Sequence, residues 1–493
     1  MKLSISKTQL SRIARAGLAL AVLAGMVWAQ EQSVPQKQGA VRYIITDLGT
    51  LGGPFSEALD VNNNGLVSGV ATLTDGTEHT FLWQKGVITD IGTPGLGGSN
   101  SAAVTVNERG EAAGPAETTT PDPNGEDFCR FGTHLVCLPF LWQNGMMTSL
   151  PTLGGNNGAA VPINNRGQVA GVAENSNRDS NCAVPFQVLD FEAVIWGPEP
   201  GQIQELHPLV GDSVGQALWI NDAGQAVGSS GSCANSLPPP VGVGPHAVLW
   251  EKDGSVHDLG NLGGTCLVLC ESALLGPFGN TALEINNQGQ VVGLSALPGD
   301  TTFHAFLWMS ETGMQDLGTL PGDVASGAFG INDRGDVVGL SLDASGNPRA
   351  FLRQNGVMTD LSTLIPTDSP LLPFFAEIIN SREEIVGLGV DTSTGNVHGF
   401  LATPVHSEVS SDRASVVQGG TSRTKATLSE NARKQVQRRL RFRPTRIWAR
   451  WAAMTVLLDS SSVAAAAEAI VTGIVQVSGS IQSGGQKGEG NEI

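Results

Sequence analysis

Four carboxylates in or beside short apolar segments are the side chains best suited to catalysis: Glu57, Asp60, Glu284 and Glu377. A glycoside hydrolase needs two such acids that face each other about 5 to 10 Å apart, one of them donating a proton. The chain order does not bring these four together, and a strongly acidic chain carries many carboxylates by composition alone. We therefore predict no catalytic residue and treat enzymatic activity as the less favoured alternative.

Two further motifs invite chemistry, but each lacks its required context. Gly211–Gly215 matches the G-x-S-x-G pattern of a nucleophile elbow, which needs a helix directly after the serine. No helical pattern follows, so we regard the match as coincidence. Asp122, Asn124 and Asp127 are closely spaced oxygen ligands and a weak calcium candidate. They lack the distal glutamate of an EF-hand, and a solvated polar turn is the preferred interpretation. We predict no metal and no cofactor.

Histidines recur at one point of a repeated pattern: His79, His246, His304 and His398. Equivalent positions in successive repeats lie far apart in space. We therefore predict structural histidines at strand starts rather than a metal site or a catalytic group.

The pattern that must position all these residues is a sevenfold repeat. Each copy reads Ala, three residues, Asn, two residues, usually Gly, three residues, Gly; in the last copy Glu383 replaces the middle Gly. The repeated asparagines are Asn62, Asn107, Asn164, Asn221, Asn286, Asn332 and Asn380. A period of roughly 45 to 65 residues is typical of propellers and solenoids.

Each copy has the pattern of a four-stranded antiparallel sheet. The segment that leads to Asn is the first strand, and Asn-x-x-Gly is a tight turn in which Asn bonds its own backbone and Gly accepts a left-handed conformation. A Gly-containing second strand follows, then an apolar third strand such as His304–Trp308, then a fourth that ends in Asp-Leu. Blades of this kind around an axis form a β-propeller.

The two ends of the array predict that the ring closes. Tyr43–Gly49 matches a fourth strand with no preceding three, and His398–Leu401 matches a third strand with no fourth after it. Joining them completes a seventh blade and removes two exposed sheet edges. We therefore predict an all-β, seven-bladed propeller of four-stranded blades over residues 43–403, with the last blade closed by the N-terminal strand. An open β-array is the alternative.

On these motifs the chain resembles the HAF-repeat proteins, a group of extracellular bacterial repeat proteins named for the tripeptide seen here at 304–306. Variants of the tripeptide occur at 79–81, 246–248, 349–351 and 398–400. The resemblance covers about residues 43–403. It implies secretion and a propeller-like fold, and it implies no activity.

The N-terminus has the pattern of a secretory signal. Four basic residues precede an apolar run from Ala16 to Trp28, and Val27-Trp28-Ala29 offers a cleavage site. We predict a signal peptide over 1–29 cleaved after Ala29, a linker over 30–42, and a secreted or periplasmic protein. An uncleaved anchor is the alternative, although the apolar run is short for a membrane span.

Charge divides the chain into two parts. Residues 30–403 carry 39 acidic and 12 basic side chains, a surface that repels nucleic acid and anionic membranes. Residues 404–450 carry 11 basic and 3 acidic side chains. We predict that 404–493 is a basic and then weakly apolar tail, largely disordered, with no membrane span left after signal cleavage.

Six cysteines in an exported chain predict disulfides. They lie in the segments between repeat strands, and the preferred pairing among the 15 possible ones is Cys129–Cys137, Cys182–Cys233 and Cys266–Cys270. No Cys-x-x-Cys pair occurs and the histidines are scattered, so a metal site is less favoured.

The long segments 115–139, 172–190, 229–245 and 262–281 all emerge on one face of the predicted ring. Long variable loops on a rigid scaffold are a common way of building a binding site, although insertions also accumulate in loops without a function. We predict a monomeric binding or protein-interaction scaffold for an extracellular glycan, peptide or envelope component. The alternative is an extracellular hydrolase or lyase acting on polysaccharide through the axial carboxylates.

Overall fold

The computed structural model describes residues 42–405, apart from 183–186, 237–243, 267–269 and 273–275. The predicted signal peptide, nearly all of the linker, and the tail from residue 406 onward lie outside the described residues. The first and last described strands extend the ring by one or two residues beyond the predicted limits of 43 and 403.

Seven antiparallel sheets of about four strands each make up the molecule. Blade 1 contains β2 (Ser56–Val61), β3 (Val67–Thr72), β4 (Glu78–Gln84) and β5 (Val87–Asp90). Blade 2 contains β6 (Gly97–Ser101) and β7 (Thr105–Val106), which both pair with β8 (Ala112–Pro121), then β9 (Leu135–Gln143) and β10 (Met146–Ser149). Blade 3 contains β11 (Gly154–Ile163), β12 (Val169–Arg178), β13 (Leu189–Trp196) and β14 (Ile203–Leu206).

The remaining blades follow the same order. Blade 4 contains β15 (Val214–Ile220), β16 (Ala226–Gly231), β17 (His246–Trp250) and β18 (Val256–Asp258). A small hairpin, β19 (Cys270–Ser272) and β20 (Gly276–Phe278), precedes blade 5, which contains β21 (Thr281–Ile285), β22 (Val291–Ala296), β23 (Phe303–Met309) and β24 (Gly313–Asp316). Blade 6 contains β25 (Asp323–Ile331), β26 (Val337–Asp343), β27 (Pro348–Gln354) and β28 (Val357–Asp360). A single 3₁₀ turn, Leu361–Thr363, follows.

Blade 7 closes the ring as predicted. Its sheet has the order β1 (Arg42–Asp47), β31 (Val397–Val405), β30 (Ile385–Val390) and β29 (Leu372–Ile379), so the N-terminal strand is its outermost strand. The backbone N–H of Leu48 donates to the carbonyl oxygen of Gly399 at 3.1 Å. The seven-bladed propeller is therefore confirmed, and the open array is wrong.

Two neighbours leave no room for a side chain at the final Gly of the repeat: the backbone of the first strand and, in blades 1, 5 and 6, the Phe of the third strand. A Cβ added to Gly69 would lie 2.1 Å from the carbonyl oxygen of Glu57 and 2.6 Å from the ring of Phe81, which lies opposite Gly69 in the sheet. The same contact at 2.8 Å recurs between Gly339 and Phe351. Each phenyl ring thus fills the space that a side chain on the second strand would need, and both Phe residues are completely buried.

The first Gly of the repeat is required for a different reason, which is the backbone conformation of the turn. Gly65 lies in the left-handed region with φ 72°, as the Asn-x-x-Gly turn requires. Glu383 occupies this position in blade 7 and has φ 64°, a conformation that is uncommon for a residue with a side chain. The turn keeps its shape there while Glu383 forms an ion pair with Arg334 at 2.8 Å.

The innermost strands carry a bulge just before the Asn turn. In blade 1 the pairing with the second strand shifts between Ala58 and Asp60, and the equivalent shift occurs in blade 5 between Ala282 and Glu284. A bulge leaves one residue outside the regular ladder and redirects its side chain. On the inner side of these strands, one buried apolar cluster fills the axis with residues such as Leu59, Leu218, Leu283, Phe329 and Phe375.

Candidate functional site

The seven repeat asparagines form a closed ring of hydrogen bonds, which we call the asparagine girdle. In each turn the side-chain oxygen accepts backbone N–H groups from two and four residues further on, for example Asn62 Oδ1 from Asn64 at 2.9 Å and Leu66 at 3.0 Å. The amide nitrogen donates to the carbonyl oxygen of the next repeat asparagine. All seven bonds of this kind are present, at 2.8 to 3.3 Å, including Asn380 to Asn62. Sequence reasoning predicted the turn and missed the link between blades.

The girdle surrounds an axial cavity of ≈ 160 Å³ at the end of the ring that bears these turns, which we call the turn face. The cavity is lined by Val and Ile side chains of the innermost strands, by Trp219 and by five carboxylates. The carboxylates are Asp60, Glu108, Asp222, Glu284 and Asp333. The described residues that line it include no Lys and no Arg, so the cavity has one sign of charge.

Asp60 and Glu284 use the bulge to join neighbouring blades. Asp60 accepts the backbone N–H of Val61 at 2.7 Å and that of Val106, in the next blade, at 2.9 Å. Glu284 Oε2 accepts the N–H of Ile331 in the next blade at 2.9 Å. Burial raises the pKa of Asp60 to about 7 and raises that of Glu284 well above its ordinary range. These acids therefore have a structural task, although both also line the cavity.

The other two candidate acids are also buried. Glu377 is 8 % exposed, and its Oε2 has no hydrogen-bond partner in the described structure. Burial alone raises its pKa to about 8. Glu57 is 1 % exposed in β2. Glu284 is near enough to Asp60 and to Glu377 for both charges to raise its pKa, but Asp60 and Glu284 bind backbone amides. The arrangement is not a pair of free acids across an open cleft.

The repeated histidines pair with aspartates near the other end of the ring. His79 bonds Asp90 at 2.9 Å and His304 bonds Asp316 at 2.9 Å, in each case between the third and fourth strands of one blade. His398 bonds Asp47 at 3.0 Å across the closure. In blade 6, Arg349 replaces His and contacts Asp360 at 3.2 Å. In blade 4, His246 bonds Asp212, and this hydrogen bond raises the pKa of His246.

The G-x-S-x-G match lies in a connection. Ser213 donates its backbone N–H to Gly231, and the following residues enter strand β15 directly. A strand therefore stands where a nucleophile elbow requires a helix.

The opposite end of the ring, the loop face, carries the cysteines. The structure contains the preferred pairing, Cys129–Cys137, Cys182–Cys233 and Cys266–Cys270. The disulfides indicate an oxidising, extracellular or periplasmic environment. One detail differs from the prediction, because Cys137 lies in the blade 2 strand β9, whereas Cys270 lies in the extra hairpin between repeat strands. Strands β8 and β12 also extend into the predicted loops, so the irregular segments are shorter than 115–139 and 172–190.

Loops of blades 2, 3 and 4 join into one surface, the loop platform, which comprises residues 122–134, 179–182, 187–188 and 232–236. Cys182–Cys233 links blade 3 to blade 4. The Cys129–Cys137 and Cys182–Cys233 disulfides share one buried cluster with Phe128 and Phe191. Sequence reasoning treated these segments as long variable loops and missed this small core.

Polar contacts tie blade 2 to blade 3 within the platform. Glu126, completely buried, accepts the backbone N–H of Val188 and, at 3.2 Å, that of Leu189. Arg178 donates to Asn124 Oδ1 at 2.7 Å. Buried Glu174 accepts the N–H of Asn157 at 2.9 Å, and burial together with repulsion from Glu126 raises its pKa to about 8.

The calcium candidates belong to the same platform, and protein donors occupy their oxygens. Asp122 Oδ1 accepts the backbone N–H of Asn124 at 2.8 Å and of Glu126 at 2.9 Å, which is the turn geometry of the repeat asparagines. Asn124 Oδ1 faces Arg178, and Asp127 Oδ1 accepts the N–H of Gly132 at 3.0 Å. Two groups of described residues approach the spacing of a metal site: Asp179 and Asp190 with Cys182 and Cys233, and Asp300 with Cys266 and Cys270. In both groups the two sulfurs are bonded to each other in a disulfide, so neither can bind a metal as a thiolate.

No protein-family model and no curated protein matches the sequence. Some solved structures are distantly similar. An acylaminoacyl peptidase from Pyrococcus horikoshii is 14% identical over 67% of this chain and 50% of its own, with a TM-score of 0.37. A gluconolactonase from Xanthomonas campestris is 8% identical over 76% of this chain and 93% of its own, with a TM-score of 0.34. A polysaccharide lyase that acts on ulvan gives 10% identity over 73% and 93%, with a TM-score of 0.35. This chain thus matches half the length of the peptidase. Similarity at this level carries no functional information.

Among the described residues, no helix is both long enough and apolar enough to cross a membrane.

Proposed function

We propose that this protein is an exported binding scaffold of the HAF-repeat type, and that its ligand contacts the loop platform. The observation that carries the proposal is the joining of three blades' loops into one rigid surface. A disulfide, a buried carboxylate and an arginine each cross between blades there. A preorganised surface loses little conformational entropy on binding, which is the advantage of rigid recognition sites.

Export fits the chemistry of the same surface. The disulfides require an oxidising compartment, and the proposed route is the general secretory pathway with cleavage after Ala29. Acidic side chains, among them Asp179 and Asp190, lie beside the Cys182–Cys233 disulfide. Such a surface favours neutral or cationic ligands over acidic polysaccharides. The proposed ligand classes are therefore a neutral glycan, a peptide or an envelope component, bound by a monomer.

The alternative, an enzyme acting on polysaccharide, would rely on the axial carboxylates. Asp60 and Glu284 both accept backbone N–H groups of neighbouring blades, and Glu377 lies buried beside an apolar axis. A hydrolase needs one acid free to attack or to activate water next to the substrate. The binding scaffold is therefore the better supported function.

The test compares two versions of the loop face on one ring. Neutral glycans and peptides are first screened as arrays against the full protein. The strongest ligand is then titrated by biolayer interferometry against a platform variant. In this variant a two-residue turn replaces residues 123–133, which include Cys129, and Ser replaces its partner Cys137 as well as Cys182 and Cys233. The control on another blade is Ala344→Gly in the blade 6 loop, which leaves the platform unchanged.

We expect the platform variant to melt cooperatively, because the repeat strands are unchanged apart from Cys137→Ser, and to bind at least tenfold more weakly. The blade 6 control should bind like the wild type. A folded platform variant with undiminished affinity would place the site elsewhere.

A further inference from the structure

Trp219 breaks the repeat at the turn face. It follows the bulge in β15, the position that Asp60 and Glu284 occupy in blades 1 and 5. Its side chain packs against two apolar clusters, one between blades 4 and 5 and one between blades 7 and 1. The indole therefore reaches across the axis from blade 4 towards the far side of the ring. It is only partly buried and lines the axial cavity.

Glu284 contributes a solvent-accessible acceptor to the same cavity. The residue is 5 % exposed and lines the cavity, and Oε2 is bound to the N–H of Ile331. No described residue donates a hydrogen bond to its other carboxylate oxygen, Oε1, and this atom is not one of the buried oxygens that lack a partner, so it is open to the cavity. A carboxylate oxygen in this position can accept a hydrogen bond from a ligand that enters the cavity.

Every charged group that interacts with Glu284 is also acidic. Asp60, Glu377 and Asp333 all raise its pKa by repulsion, in addition to the effect of burial. The cavity lining adds Glu108 and Asp222 at the rim. The site therefore lacks a counter-charge among the described residues.

We propose that the axial cavity binds an organic cation with a primary ammonium group, held by Glu284 Oε1 and by the indole of Trp219. Cations bind favourably over the face of an indole, and the Val and Ile layer suits a short alkyl chain. The volume of ≈ 160 Å³ accommodates a ligand of about five heavy atoms, at about 30 Å³ for each water-sized group.

A divalent metal fits this cavity less well. Calcium takes six to eight oxygen ligands. The side-chain oxygens of the girdle asparagines already accept two N–H groups each, and both oxygens of Asp60 accept one. The rim acids Glu108, Asp222 and Asp333 also accept N–H groups, from asparagines of neighbouring turns. The oxygen without a protein donor is therefore Glu284 Oε1 beside an aromatic ring, which matches an ammonium group rather than calcium.

The test uses n-butylammonium as the probe and 1-butanol, of the same size, as the neutral control. Indole N–H signals of the full protein are followed by NMR during titration, and the Trp219 signal is identified with Trp219→Phe. We expect a saturable shift of the Trp219 signal with n-butylammonium only. Equal binding of 1-butanol, or no saturable shift, would overturn the proposal.

Variants assign the role of the carboxylate. Glu284→Gln keeps an oxygen for the N–H of Ile331, so it should fold, and it should weaken n-butylammonium binding at least tenfold. The matched control is Glu311→Gln, an exposed acid in the same blade near the same face, with unchanged affinity expected. Burial and neighbouring carboxylates raise the pKa of Glu284, and it must be ionised to pair with the cation. Affinity should therefore rise with pH more steeply in the wild type than in Glu284→Gln, where Asp60, with its pKa raised to about 7, still titrates in the same cavity. Unchanged affinity in Glu284→Gln would refute the assignment.

Discussion

Replacing Asn380 with Ala removes the hydrogen bonds by which the last blade of the girdle meets the first. Asn380 is 7 % exposed, and its Nδ2 donates to the carbonyl oxygen of Asn62 at 3.1 Å and to Glu384 at 2.7 Å. Its Oδ1 accepts the backbone N–H groups of Arg382 and Glu384, both at 2.9 Å. The substitution removes all four bonds and puts nothing in their place. The two backbone N–H groups lose their acceptor, whereas the carbonyl oxygen of Asn62 keeps the N–H of Gly65 and Glu384 keeps Arg382.

The expected loss of stability follows from these contacts. A hydrogen bond contributes about 1 kcal/mol net, and a buried group left unsatisfied costs about 1–3 kcal/mol. Four lost bonds at a largely buried position therefore cost about 4 kcal/mol. A folded unit of about 360 residues has an unfolding entropy near 0.75 kcal/mol/K, so this loss lowers the melting temperature by about 5 °C.

Differential scanning calorimetry with two further variants isolates the effect. Asn164→Ala removes the same kind of bonds in the middle of the chain, including the donation to Asn221 at 3.0 Å, and should give a similar shift. Gln315→Ala, at an exposed position in β24, should shift the melting temperature by less than about 1 °C, since surface substitutions are usually near neutral. If Asn380→Ala and Asn164→Ala both melted within 1 °C of the wild type, the girdle would contribute nothing to the stability of the ring.

Two further predictions concern the axis and the closure. Burial raises the pKa of Glu377 to about 8 from an ordinary value of 4.5. Between these values the folded state holds a proton that the unfolded state has lost, so stability falls as pH rises. The equivalent position in blade 1 is Leu59, so Leu should fit at position 377. Glu377→Leu should raise the melting temperature at pH 8.5 and reduce the difference in melting temperature between pH 5 and pH 8.5. An unchanged difference in melting temperature would contradict this. Deleting residues 30–50 removes β1 and should lower the melting temperature by more than Asn380→Ala; a truncated protein that melts like the full chain would show that closure does not need this strand.

The architecture could be predicted from the sequence because the residues of each repeat specify its local geometry. Asn and Gly specify the turn, the second Gly and the Phe specify a cross-strand contact, and the unpaired strands at the two ends specify closure. The loop face was harder to predict because it does not repeat. Strand β8 continues through Glu117 to Pro121, a polar stretch without the alternation that indicates a strand. Its pairing with β9 depends on tertiary contacts.

The candidate site was only partly visible in the sequence. The four carboxylates were correctly expected near the innermost strands, but the bulge that turns Asp60 and Glu284 towards neighbouring blades is a feature of strand pairing. Trp219 was missed altogether, although alignment of the seven copies would have shown an aromatic residue where blades 1 and 5 carry an acid. A residue that departs from the repeat, such as Trp219, is found by aligning the seven copies within this one chain.

A ring of equivalent blades gives every repeated side chain the same environment, so repetition by itself builds structure rather than a site. The girdle and the histidine–aspartate pairs illustrate this, since each occurs in several blades and satisfies its own polar groups. Unequal positions are where polar groups remain unsatisfied. At the bulge and its neighbouring positions, single blades place Trp219, Glu284 and Glu377, and two of these retain a carboxylate oxygen without a donor. On the loop face, the Cys182–Cys233 disulfide and the hydrogen bonds of Glu126 join blades 2 to 4, and the described residues of blades 5 to 7 contain no disulfide between blades. Recognition by this propeller should therefore depend on residues that depart from the repeat, and substitutions that restore the repeat should remove binding while preserving the fold.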